Sequence, residues 1–133
     1  MSANDAIEQF VREGLGCGCP DEVFQAIEHQ QHSAAFDRID VGGRLLVYVV
    51  WLNDQSISAQ EIDDHLEKGV NERDKLGFNR FRLVLASMNA ETVEPRAIRV
   101  FEQNVLHDKR THLHVIDQRN ELLATMRARL VVD

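Results

Sequence analysis

Apolar residues along this chain follow helical and strand periods in a definite order. Ile7, Phe10, Val11 and Leu15 recur at helical spacing, so residues 4–14 read as a short amphipathic helix with Asn4 as its N-cap. Gly14, Gly16 and Gly18 end it. Pro20 suits the first turn of a second helix, whose positive end Asp21 and Glu22 favour. Val23, Phe24 and Ile27 form its apolar face, and it is expected to run to about His29–Gln31.

From Phe36 the period changes. Phe36, Ile39 and Val41 lead into Gly42-Gly43, and Leu45 to Trp51 follows. A Gly-Gly pair between two strand-like runs predicts a hairpin, because such turns need positive φ. The second run is apolar on both faces and reads as a central strand. Ser58-Ala59-Gln60-Glu61 is a capping box that opens a helix. Ile62, Leu66, Val70 and Leu76 give that helix a buried stripe, and Gly77 suits its C-terminal stop.

Phe81 to Ala86 predicts the next strand. Thr92 to Leu106 predicts a helix with Pro95 in its first turn and Ile98, Phe101 and Val105 facing inward. Thr111 to Asp117 alternates as a strand does. After a turn at Asp117-Gln118-Arg119-Asn120, Glu121 to about Val131 alternates again and is read as a final strand. A helix is the second reading there, since Leu, Ala, Met and Arg are good helix formers.

The expected order is α-α-β-β-α-β-α-β-β in one domain, residues 1–133. Residues 1–35 form an N-terminal helical pair, and 36–133 form an α/β core with a mixed five-stranded sheet. The strand-helix-strand unit at 44–86 should be a parallel right-handed crossover. With the closing hairpin Val115-Ile116-Asp117-Gln118-Arg119-Asn120-Glu121-Leu122-Leu123-Ala124, this order resembles the thioredoxin-like core over roughly residues 44–130. The resemblance implies the fold alone. The segment where that family places its Cys-x-x-Cys is here Asn53-Asp54-Gln55-Ser56-Ile57-Ser58, and no proline precedes the strand at 111–117.

Composition narrows the partners. The chain has 133 residues, 15 basic against 22 acidic, for a net charge of −7. Such a surface repels phosphate backbones and anionic lipid, so neither nucleic acid nor membrane is expected as a partner. The start, Met1-Ser2-Ala3-Asn4-Asp5, has no basic or apolar region of a signal peptide. The longest apolar run, Leu45 to Leu52, falls short of the roughly 20 residues of a membrane helix. A cytoplasmic location is expected, where thiols are kept reduced.

The chemistry concentrates at Gly16-Cys17-Gly18-Cys19-Pro20. The segment Leu15-Gly16-Cys17-Gly18-Cys19-Pro20-Asp21-Glu22-Val23-Phe24 resembles a group of uncharacterised prokaryotic proteins sharing Leu-Gly-Cys-x-Cys-Pro-acid-Glu-Val-Phe, a resemblance that implies no activity. Before a helix start, Cys19 would be held toward its thiolate by the helix dipole, against the acids Asp21 and Glu22. Two thiolates this close suit a soft metal, zinc or copper, or an iron–sulfur cluster shared between chains. They also permit a readily reduced disulfide. His29 and His32 are weaker ligand candidates, because a helix from Pro20 would carry His29 roughly 14 Å from Cys19. In the plain alternative, the glycines make a tight corner and the cysteines pack as small hydrophobes.

Other candidates are weaker. His112 and His114 alternate on one strand and share a face. His65 lies among Glu61, Asp63 and Asp64 on what reads as a solvated helix face. Arg110, Arg119, Arg127 and Arg129 could form a basic patch near the end of the chain. Trp51, Asn53, Asp54, Ser87 and Asn89 sit where open α/β sheets bind ligands. The sequence therefore points to a small thiol protein, metal-binding or redox-accessory, acting through Cys17 and Cys19. An interaction module docking a protein partner or a second copy is the alternative. No catalytic residue is assigned.

Overall fold

A computed structural model describes residues 2–130. The chain opens with α1, Ala3–Gln9, which widens into a π-turn at Phe10–Gly14, and a 3₁₀ turn follows at Asp21–Gln25. Then come β1 (Ile27–Ser33), β2 (Phe36–Val41), β3 (Leu45–Asn53), α2 (Ala59–Leu76), β4 (Arg80–Ser87), α3 (Ala90–Gln103), β5 (Thr111–Asp117) and α4 (Glu121–Leu130). The class is α/β, with a mixed five-stranded open sheet in the sequential order β1-β2-β3-β4-β5. β1, β2 and β3 pair antiparallel, and β3, β4 and β5 pair parallel.

Side-chain alternation divides the core between two faces. Leu46, Tyr48, Val50, Phe81, Leu83 and Leu85 face α2 and α3 through Ile62, Leu66, Val70 and Ala97. Both parallel crossovers step the same way along the sheet, which puts their helices on one side. On the other side Ile39, Val41, Val47, Val49, Trp51 and Val84 meet α1, the π-turn and α4 through Ile7, Phe10, Val11, Leu123, Met126 and Leu130. β3 is buried from Leu45 to Trp51, as its unbroken apolar run requires. Gly42 and Gly43 adopt φ +63° and +68° in the β2–β3 turn. Ser58 and Glu61 form the expected capping box, and Gly77 closes α2 at φ +78°. Ser2, rather than Asn4, caps α1.

Leu76 is exposed rather than part of the buried stripe of α2, and three larger expectations need correction. The second N-terminal helix shrinks to the 3₁₀ turn, and residues 27–33 become β1. Tertiary pairing overrides the helical pattern, because β1 supplies the partner for the free edge of β2, from Ile27 opposite Val41 to Gln31 opposite Asp37.

The closing strand at 121–131 is also corrected. Residues 121–130 are α4, and Val131 lies outside the described residues. Asn120 Oδ1 accepts from the amides of Leu122 and Leu123, and Leu123, Met126 and Leu130 form a buried stripe at helical spacing. The βαβαβ run keeps its expected order, but the closing hairpin is absent.

In α3 the inward face belongs to Val93, Ala97, Val100 and Phe101. Ile98 is exposed, and Val105, beyond the helix end, is almost fully so. The helix begins at Ala90, before the expected Thr92.

Candidate functional site

The cysteine corner lies between the π-turn and the 3₁₀ turn, against the α1/α4 side of the core, where Cys17 and Cys19 are both half-buried. The Cys17 amide donates to Val11 O, and Gly16 takes φ +71°, a left-handed conformation that favours glycine. Cys17 and Cys19 are joined as a disulfide, with Cα atoms 5.4 Å apart, inside the normal span. The helix expected to hold a Cys19 thiolate is too short for that role. The nearest basic side chain on the same segment, Arg12, is already engaged. It donates to Cys19 O at 3.3 Å and pairs with Asp21 at 2.6 Å and Glu8 at 2.9 Å, while its guanidinium lies over Phe24.

The cationic surroundings of the pair come from elsewhere in the chain. A cavity of about 120 Å³ is lined by Cys17, Cys19, Pro20, Val23, Leu45, Asn79 and the arginines Arg44 and Arg80. It lies at the entry of the parallel strands β3 and β4, opposite the strand ends where ligands were expected. Nothing in the sequence placed Arg44 or Arg80 near the cysteines, because the meeting depends on how the N-terminal segment docks.

Next to this cavity, β4 and β5 carry a ladder of arginine and histidine. Arg80 Nη1 donates to Lys109 O at 3.1 Å and to His112 Nε2 at 3.2 Å. Arg82 Nη1 donates to His114 Nε2 at 2.9 Å and to Leu15 O at 3.3 Å. Arginine only donates, so both imidazoles accept at Nε2 and are neutral. Burial, then Arg82 and His112, pushes His114 down to about 4, and burial also lowers His112. His112 and His114 do share a face, as the alternation predicted, but guanidinium neighbours make it a poor place for a metal cation. Arg82 Nε is buried without a hydrogen-bond partner among the described residues.

The two other histidine candidates sit away from any metal set. His29 Nε2 is 2.6 Å from Asp37 Oδ1, and His32 stacks on Phe36 at 5.1 Å. Among the described residues, no three of His, Cys, Asp and Glu gather as a metal site. Asp37 is a buried carboxylate that the sequence reading missed. Its phase with Ile39 and Val41, which point into the core, was the available signal.

The remaining candidates are engaged in separate contacts. Arg110 donates to Asn79 O and Phe78 O, Arg119 pairs with Asp117, and Arg127 covers Trp51, so these do not form one patch. At the far strand ends Asn53 exchanges hydrogen bonds with Gln118, and Asn89 bonds Ser87 Oγ and Asp54 O. His65 packs edge-on to Phe36, and burial lowers its pKa. Among the described residues no helix is long and apolar enough to cross a membrane. No protein-family model, curated protein or solved structure matches this chain.

Proposed function

We propose that this chain is a small thiol–disulfide protein whose working group is the Cys17–Cys19 pair. The observation that carries the reading is the joining of these two sulfurs beside an open cavity. A disulfide across one intervening residue is a weak staple. By the chain-entropy relation it stabilises by about 1.5 kcal/mol, against about 3 for a 15-residue loop. It cross-links no distant parts of the fold, so a stabilising role explains it poorly.

The reaction partner is a small thiol. Its thiolate sulfur bonds to one Sγ, the Cys17–Cys19 bond breaks, and the electron pair leaves on the other Sγ, which takes a proton from solvent. A second thiol then attacks the mixed disulfide. The products are the partner's disulfide and two protein thiols, so two electrons and two protons enter the pair. In a reducing compartment the dithiol is the resting form, and the disulfide is the form made by oxidants.

The test is to equilibrate the protein anaerobically over a series of thiol to disulfide ratios. Free Cys17 and Cys19 are then counted by alkylation and mass, with elemental analysis of the same sample. A single two-electron transition supports the reading. Thiols masked by stoichiometric zinc, copper or iron would overturn it in favour of metal binding, with half an atom per chain marking a site shared by two copies. Thiols that stay reduced at every ratio would return the segment to a structural corner.

A further inference from the structure

We infer that the cavity beside Cys17 and Cys19 selects small thiols that carry a carboxylate, with Arg44 and Arg80 as the groups that recognise it. This rests on the redox reading above and names the substrate class for the same site.

The first argument is charge. The protein as a whole carries −7, yet among the described residues the cavity wall holds two guanidiniums and no carboxylate. Among the described residues, none of Arg44, Arg80 and Arg82 reaches an ion pair with Asp or Glu. Unpaired cations clustered in an acidic protein are poorly explained as surface solvation. The nearby acids do not offset them directly. Asp21 is taken by Arg12, Asp108 by Arg73 and Asp40 by the Gly43 amide, and Glu13 and Glu22 are exposed and outside the cavity lining.

The second argument is the donor supply. Arg80 spends one nitrogen, Nη1, on Lys109 O and His112. Arg44 has its side chain exposed beside the cavity. Guanidinium donors match a carboxylate's two oxygens, which a point charge does not. Behind them Arg82 has an orphaned buried Nε and holds Leu15 O, two residues from Cys17. Arg82 thus ties the corner to the ladder of arginine and histidine.

The third argument is size. A cavity of about 120 Å³ holds about four waters at roughly 30 Å³ each, the space of a short mercapto-acid arm. Val23, Leu45 and Pro20 supply apolar wall for its methylenes, and Asn79 adds an amide.

The experiment measures reduction of the oxidised protein by 3-mercaptopropionate, 2-mercaptoethanol and cysteamine. Each rate, per thiolate, is divided by that thiol's rate with a small neutral model disulfide, which removes differences in intrinsic nucleophilicity. The expected result is that the anionic thiol outpaces the cationic one by about tenfold at low salt, falling as ionic strength rises. In R44Q/R80Q that ratio should collapse toward one, and in R44K/R80K only part of it should return, since a point charge lacks the paired donors. Both side chains are exposed, so these variants should fold, which circular dichroism verifies. Equal normalised rates for the three thiols, or a preference that survives in R44Q/R80Q, would overturn the carboxylate assignment and leave the redox pair standing. Failure of all three thiols to reduce the pair would instead overturn the redox reading itself, and this inference with it.

Discussion

Trp51 Nε1 donates to Asp37 Oδ2 over 2.7 Å, while His29 Nε2 holds the other carboxylate oxygen at 2.6 Å. Asp37 is only 3% exposed, so these partners are what make a carboxylate acceptable between β1, β2 and β3. Asp37→Ala removes the acceptor and leaves the buried indole N–H without a partner. The variant should lose about 2–4 kcal/mol of stability, read as a lower urea midpoint at unchanged slope. Trp51→Phe, which spares the His29 contact, should lose its hydrogen bond and some packing but keep Asp37 paired. A loss below about 0.5 kcal/mol in Asp37→Ala would show that the carboxylate is not structurally coupled in this way.

Gly69 faces Phe81 from inside α2. A Cβ there would lie 2.1 Å from Phe81 Cζ. Alanine is the better helix former by about 1 kcal/mol, so propensity alone predicts that Gly69→Ala stabilises. Overpacking costs about 1–3 kcal/mol and acts against it. The ring is fully buried between α2 and β4, so we expect net destabilisation, seen as a lower Tm. Gly69→Ala/Phe81→Leu should recover part of the loss.

Histidine 114 makes stability fall as pH drops. Its folded pKa, about 4, lies below the ordinary histidine value of 6.5 because burial, then Arg82 and His112, disfavour the charged ring. The unfolded chain therefore binds more protons between those values. The contribution is complete above about pH 6.5 and is lost as pH falls through about 4, a change of about 3 kcal/mol. His114→Leu should flatten the unfolding free energy over that range. An unchanged pH profile in the variant would assign the effect to other groups.

A second acid limb belongs to Asp108. Arg73 holds its carboxyl down to about 2, from 3.8, with the Arg110 amide and Thr111 adding to the effect against partial burial. The folded pKa is depressed, so this stabilisation is present above about pH 4 and disappears as pH falls through 2. The Asp108 side chain is 41% exposed, and solvent screening reduces the contribution to about 1 kcal/mol or less. Asp108→Asn should lower stability at neutral pH by that amount and converge with the parent near pH 2.

Reducing the Cys17–Cys19 bond should change the unfolding midpoint little, because so short a loop constrains the unfolded chain by only about 1.5 kcal/mol. Cys17→Ser/Cys19→Ser should likewise keep the βαβ core folded while losing all thiol exchange. A collapse of the fold in either case would make the corner structural.

Much of the fold was legible in local pattern. The Gly42-Gly43 turn, the buried run of β3, the Ser58 capping box and the Gly77 stop are set by residues adjacent in the chain. Helical spacing, positive φ and side-chain caps act within a few residues. Residues 27–33 and 121–130 were misread because each carries two compatible patterns. For 27–33, an unpaired edge of β2 selected the strand. For 121–130, an apolar sheet face and the Asn120 cap selected the helix.

The same division holds at the site. By itself the sequence determined the thiol pair, the glycines that let it close, the shared face of His112 and His114, and an acidic charge overall. Only the tertiary structure decided that Arg44 and Arg80 would wall the cavity beside those thiols, and that His29 would bind Asp37 rather than stand near the cysteines. Proximity along the chain reaches about one turn of helix. The cavity contacts join residues tens of positions apart and are created by docking of the N-terminal segment on the sheet, whereas His29 meets Asp37, eight positions on, through the pairing of β1 with β2.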